Sequence, residues 1–529
     1  MKRTVKLKNV KEIVGVTLVI GIMIAEALLT TQGGFFGGNN NKEFFKEKAV
    51  TEYKKHIVVL GKITDRNGKE ICNLANVDFA NDNYGEYTNA EMYAPFLGYL
   101  RSEKENSEGL LRKYYDVLYD TGSIEETKGN DIQLTIDSDL QESVYQIMKD
   151  FVGNSKEDAS IVVSDAESGE ILAMVSLPTY NPEKELPKKY TSVVCDDPRI
   201  PGSSFKVLTS IALLENSVKG VKGEDYERIN TPFRVTKTDD YLARELIREE
   251  DEAKFIVNYD SSQQGEVLTY KKALDYSSNI FFAGAMLDME NAEVKLTNVI
   301  NRLMGDKVDD YGRRITSFDF GNVVDIWAFD KNKKTGKYNY DSGNVLYQRA
   351  LADTAYGQGG TKLSTITEIR LVSVIANGGK AYNPYMIKAV KRSGVEKKEI
   401  PLKEIAEKHN IPELTTHNLP INVTTMEVAD KIKSAMLYTC SDEEEHNYYG
   451  FQRENIGGKS GTGEVVVGEK DNLWFMSFCT VNGHTYCVVM NSMNEKAGSR
   501  TGSGWANSVD GDYSPLEKVY NEIEKLVRE

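Results

Sequence analysis

Apolar positions along this 529-residue chain cluster in patterns that select particular elements. Residues 161–164 and 170–175 are short apolar runs that predict a hairpin. A longer hairpin is predicted from Trp474-Phe475-Met476-Ser477-Phe478 and Tyr486-Cys487-Val488-Val489-Met490, which flank Asn482-Gly483, a two-residue turn signal. In that register Cys479 faces Tyr486, and Cys487 points to the opposite sheet face. Residues 457–467, rich first in Gly and then in Val, read as another strand. The run 207–214 follows Pro201-Gly202 and predicts a turn opening a buried helix. Further helices are expected around 90–97, at 140–151 and at 515–528, and a short apolar strand at 57–60. Such a mixture implies an α+β architecture, a central antiparallel sheet covered by helices.

The N-terminal pattern differs. Lys2, Arg3, Lys6, Lys8 and Lys11 precede an apolar stretch, 13–29, broken only by Thr17 and Glu26. Its length approaches the ~20 residues that span a bilayer, with the basic flank on the cytoplasmic side. The organisation read from these shifts is a basic tail at 1–12, a transmembrane anchor at 13–30, a flexible Gly/Asn-rich stalk at 31–42, a small pedestal domain at 43–155 and a large domain at 156–529. Ala25-Glu26-Ala27 offers the competing reading of a cleaved signal peptide. Retention is the expectation, with a single-pass protein in the cell membrane, its N-terminus cytoplasmic and its large domain outside the cell.

Three short segments carry chemistry. Lys206 stands three residues after Ser203, so on one helix face it can take the serine's proton, provided that burial or a cationic neighbour lowers its pKa. Ser277 and Asn279 interrupt two apolar stretches; a hydroxyl can relay a proton and an amide can bind a peptide carbonyl. In Lys459-Ser460-Gly461-Thr462, strand alternation puts Ser460 and Thr462 on one face, suited to a carboxylate, with Lys459 on the other and Gly461 leaving room for close backbone approach. Each segment alone has an ordinary structural explanation as a solvated helix face, a turn or a loop. Their order and separation form a recognised three-part acyl-transfer signature.

The formal net charge of −15 argues against a nucleic-acid partner, and Asp442-Glu443-Glu444-Glu445 reads as a solvated loop. Five cysteines and five histidines show no metal-ligand spacing, so neither a metal nor another cofactor is expected. Cys479 and Cys487 read as small core residues without a disulfide between them.

The signature resembles that of the class B penicillin-binding proteins, the monofunctional peptidoglycan D,D-transpeptidases. Other segments add to it: 61–69, 134–141, 168–176 with Tyr180-Asn181-Pro182, and Tyr356-Gly357-Gln358-Gly359, so that the similarity runs over roughly residues 60 to 500. The resemblance implies a serine transpeptidase domain of the β-lactamase-like fold behind a pedestal and an anchor. It implies Ser203 as the acylated nucleophile, Lys206 as its base, Ser277 and Asn279 as relay and substrate-amide residues, and Lys459 as an electrostatic support. Ser460, Gly461 and Thr462 would line the substrate-carboxylate site, with Ser460 standing where many members have Thr. The backbone N–H groups of Ser203 and Thr462 would form the oxyanion hole, and Tyr356–Gly359 a structural loop beside the cleft. The implied partners are peptidoglycan stem peptides, β-lactams, a membrane glycosyltransferase and other wall-synthesis proteins. Alternatives are another serine acyl enzyme, such as a β-lactamase or β-lactam sensor, and a catalytically silent scaffold. The former has no need of the 43–155 region, and the latter has no use for a reactive Ser-Lys pair.

Overall fold

The computed structural model describes residues 58–528 except 79–82, 102–106, 123–126, 154–157, 188–193, 195–196, 218–225, 236–254, 305–313, 317–321, 327–344, 394–397, 416–418, 442–448, 450, 467–469, 495–501 and 507–512. The expected tail, anchor and stalk lie outside the described residues. Among those described, no helix is long and apolar enough to cross a membrane.

A five-stranded antiparallel sheet forms the centre. Its strands are β1 (Ala159–Asp165), β2 (Ile171–Leu177), β3 (Ile456–Val466), β4 (Lys470–Val481) and β5 (His484–Asn494), in the spatial order β3-β4-β5-β1-β2. The β4–β5 hairpin closes through Asn482 (φ 50°) and Gly483 (φ 83°), the two positive φ angles that a tight primed turn demands. Cys479 is paired with Tyr486, the expected register.

Period-two alternation divides the strands between two cores. Ile161, Val163, Phe475, Val488 and Met490 pack on one side with α1 (Ser138–Val152) and α6 (Pro515–Arg528). Val162, Trp474, Met476, Cys487 and Val489 pack on the other, toward α2 (Lys206–Ser217), α4 (Thr365–Ala376) and α5 (Met426–Thr439). Cys479 and Cys487 thus belong to opposite cores, and the four described cysteines are all free and buried.

Local chemistry sets the helix ends. The Asp137 carboxylate accepts from the backbone N–H groups of Asp139 and Leu140, both at 3.1 Å, and starts α1 slightly before the expected boundary. Ser514 and Glu517 form a reciprocal capping box before α6: Glu517 N donates to Ser514 Oγ at 3.2 Å, and Ser514 N to Glu517 Oε2 at 3.0 Å. Pro515 fills the first helical position, where its missing N–H costs nothing.

The pedestal departs from expectation in two respects. Its first strand among the described residues is Lys62–Thr64; of the expected 57–60, residue 57 lies outside the described residues and 58–60 form no strand, since Val59 makes only an isolated bridge to Lys128 and Gly61 N turns to donate to Leu118 O at the end of a short helix. Its sheet is also not drawn from 43–155 alone. Lys62–Thr64, Glu70–Asn73, Glu86–Tyr87 and Asn130–Leu134 are joined by Ile387–Arg392, which pairs along Asn130–Leu134, and by Glu399–Ile400, which pairs with Ile387–Arg392 at the sheet edge. Conversely α1, within the same interval, packs against the central sheet.

Candidate active site

Ser203 sits in a 3₁₀ turn, Gly202–Phe205, that runs directly into α2 at Lys206. The expected helix therefore begins three residues later than the nucleophile. The substitution of a 3₁₀ turn has a purpose, since side chains at i and i+3 eclipse in this geometry and Ser203 is stacked over Lys206. Lys206 Nζ lies 2.9 Å from Ser203 Oγ.

The second segment enters through a strained residue. Ser277 has φ 54°, a left-handed conformation rare for a side chain larger than glycine, and follows the helix Tyr270–Asp275. Ser278 then caps α3 (Asn279–Asp288), its hydroxyl accepting from Phe281 N at 3.0 Å and donating to Asn230 Oδ1 at 2.6 Å. This anchorage presents three acceptors to Lys206 Nζ: Ser277 O at 2.5 Å, Asn279 Oδ1 at 2.8 Å and Ser277 Oγ at 3.1 Å. The Asn279 amide is oriented by its own donation to Val257 O at 3.0 Å.

Lys459 arrives from β3 on the opposite side. It is buried, and its Nζ donates to Ser277 Oγ and to Ser460 O, each at 3.1 Å. Ser277 Oγ thus bridges the two lysines. Alternation leaves Ser460 and Thr462 half-buried toward the cleft, with Tyr449 OH donating to Ser460 Oγ at 3.2 Å. Gly461 allows β3 to meet the nucleophile turn: a Cβ there would stand 2.3 Å from Pro201 O. All eight expected site residues therefore converge on one cleft.

The electrostatics follow from burial. Lys206 is fully buried, and desolvation with the Lys459 cation beside it holds its pKa well below the ordinary lysine value. Burial also brings Lys459 down to about 8, opposed by Asp275. A neutral Lys206 amine has two N–H groups, which Ser277 O and Asn279 Oδ1 can accept, and one lone pair facing the Ser203 hydroxyl. The ammonium form directs its third N–H along that same 2.9 Å line. One pose serves both protonation states.

Tyr356–Gly359 is a brace. Gly202 N donates to Gly357 O at 2.8 Å, and Gln358 Nε2 donates to Thr462 O at 3.1 Å while its Oε1 accepts from Glu464 N at 3.2 Å. Sequence reasoning missed Asn230 behind Ser278, Tyr449 beside Ser460 and Glu368 behind Ser204; none of the three lies in a local motif.

Residues 159–232 and 233–510 match the penicillin-binding protein transpeptidase domain. The chain belongs to this family. Among curated relatives, penicillin-binding protein 3 of Bacillus subtilis is 22% identical over 468 residues, covering 83% of this chain and 56% of that protein. The peptidoglycan D,D-transpeptidase FtsI of Escherichia coli is 28% identical over 174 residues, 28% of this chain and 29% of the relative. The alignments thus span about half or less of these relatives' length. Penicillin-binding protein A of Mycobacterium tuberculosis, solved as a ceftriaxone acyl-enzyme, superposes with a TM-score of 0.62 at 18% identity over 89% of this chain and 99% of its own. The D,D-transpeptidase domain of a peptidoglycan glycosyltransferase from Eggerthella lenta gives 0.58 at 18%, over 89% of this chain and 99% of that one. These superpositions cover more of the chain than the 159–510 that the transpeptidase domain matches.

Proposed function

We propose that this protein is a class B peptidoglycan D,D-transpeptidase that cross-links stem peptides through an acyl-Ser203 intermediate and is inhibited by β-lactams. The observation that carries this reading is the 2.9 Å contact between Ser203 Oγ and a buried Lys206 whose other hydrogens have fixed acceptors.

Ser203 Oγ attacks the carbonyl between two terminal D-alanines as its proton passes to Lys206. The oxyanion would be received by the N–H groups of Ser203 and Thr462, donors whose fixed dipoles favour the developing charge. Ser277, in contact with both lysines, delivers a proton to the departing D-alanine nitrogen, and the C–N bond breaks. An amine of a second stem then attacks the ester, returns its proton through the same relay and frees Ser203. Asn279 receives the substrate amide. Ser460 and Thr462, with Lys459 beneath, hold the terminal carboxylate. A β-lactam places its strained amide where the scissile bond lies and stays on Ser203 as an ester.

The basic tail before residue 13 and the apolar run after it support a single-pass anchor with the catalytic domain outside the cell. There it would act on strands made by a membrane glycosyltransferase and alongside other wall-synthesis proteins. Function is tested by incubating the protein with a D-Ala-D-Ala stem peptide and a labelled amine acceptor. Release of D-alanine with matching acceptor incorporation supports transpeptidation, whereas the absence of both from folded protein overturns it.

A further inference from the structure

Ser204, beside the nucleophile, turns away from the cleft into the core, where its Oγ lies 3.0 Å from Pro201 O and 2.7 Å from Glu368 Oε1. A hydroxyl has one hydrogen, and a carbonyl oxygen can only accept. If the Ser204 hydrogen goes to Pro201 O, the 2.7 Å contact needs a hydrogen from Glu368. The surroundings of that carboxyl agree: it is fully buried on α4, and Oε2 has no hydrogen-bond partner. An anion there would have one hydrogen bond for a whole charge, while a neutral acid leaves a single carbonyl oxygen unpaired. Burial pushes its pKa up to about 8, against the opposing pull of the Ser204 hydrogen bond.

We propose that Glu368 is a positioning residue for acylation, held as a neutral acid that donates to Ser204 and thereby fixes the turn carrying Ser203. That turn is held at three places. Gly202 N is bonded to Gly357 O, Gly461 packs on Pro201 O, and Ser204 is tied to Glu368. The chain Glu368 to Ser204 to Pro201 O is the one that reaches into the sheet-side core, and it spans the residues on both sides of the nucleophile. Its loss lets Ser203 drift from Lys206 and from the Thr462 N–H.

This inference rests on the acyl-serine reading above, so wild-type acylation is the control. The second-order rate of acylation by a fluorescent penicillin is measured for wild type, Glu368→Gln, Glu368→Leu, Ser204→Ala and the double variant Ser204→Ala/Glu368→Leu, with thermal melting of each. Gln keeps a neutral donor and should acylate within about 3-fold of wild type, whereas Leu and Ala should be about 10-fold slower or worse, as misplaced reacting groups are. The double variant should be no slower than the slower single one. Because Glu368→Leu removes one partner of a buried pair, it should melt somewhat below wild type, whereas the double variant, which removes both, should melt closer to wild type while remaining slow to acylate. A wild-type rate in Glu368→Leu, or a Gln variant as slow as Leu, overturns the proposal. Should Glu368→Leu fail to fold, an unchanged rate in Ser204→Ala overturns it equally. Failure of the wild type itself to acylate overturns the functional reading instead.

Discussion

Replacing Gly461 with alanine tests how closely β3 and the nucleophile turn must approach. A Cβ at this position would lie 2.3 Å from Pro201 O, 2.9 Å from Ser204 N and 3.2 Å from Ser204 Cβ. Heavy atoms of this kind prefer about 3.5 Å, so strand and turn must part by about 1 Å. The partners being forced apart carry Thr462 N–H on one side and Ser203 on the other, the two halves of the proposed oxyanion site. A displacement near 1 Å costs about 10²-fold in rate, or about 3 kcal/mol of transition-state stabilisation. Overpacking should also lower stability by about 1–3 kcal/mol. Stopped-flow acylation with a chromogenic β-lactam reads the first quantity and thermal melting the second. Gly483→Ala is the comparison: at the hairpin tip its Cβ meets nothing within 4 Å, although φ is 83°. That variant should lose about 1 kcal/mol to backbone strain and keep its acylation rate. If Gly461→Ala acylates within threefold of wild type, the cleft does not depend on this approach and the steric reasoning is wrong.

Three further outcomes follow from the site. Lys459→Met removes the cation that, after burial, holds the Lys206 pKa down; the acid limb of the acylation profile should move to higher pH and the neutral-pH rate fall by about 10²–10⁴-fold. An unmoved limb would falsify the electrostatic role. Glu368, raised to about 8 when folded, contributes stability that is fully present below its unfolded pKa and lost as pH rises to about 8. Melts of Glu368→Gln should therefore gain on wild type by about 1.4 kcal/mol per pH unit at most across that window and stay level above it; a constant difference from pH 5 to 8 contradicts this. Ser278→Ala loses both the α3 cap and the bond to Asn230, and should cost about 1–2 kcal/mol in denaturant unfolding.

The parts legible in the sequence were those encoded over a few residues. Alternation of Trp474 to Phe478 against Tyr486 to Met490 fixed both hairpin register and sheet faces, and Asn482-Gly483 fixed the turn. The eight residues that converge on the cleft were readable because each of their three segments fits one turn or one strand. What was not readable depends on distant partners. Ile387–Arg392 joins the pedestal sheet by pairing with Asn130–Leu134, far away along the chain. Asn230 reaches Ser278 across 48 positions, and Glu368 reaches Ser204 across 164. A glutamate within the apolar run of α4 reads locally as a surface residue, yet it is fully buried. Within the strand expected at 57–60, the described residues 58–60 form none for a related reason: Gly61 is taken up by Leu118 O, a partner that no local pattern announces.

Intact-protein mass spectrometry after exposure to penicillin tests the central claim most directly. A single covalent adduct of one whole penicillin is predicted, mapped by peptide digestion to Ser203 and absent from folded Ser203→Ala. An adduct on another residue, an adduct that persists in Ser203→Ala, or none on the folded wild type would contradict the acyl-serine account.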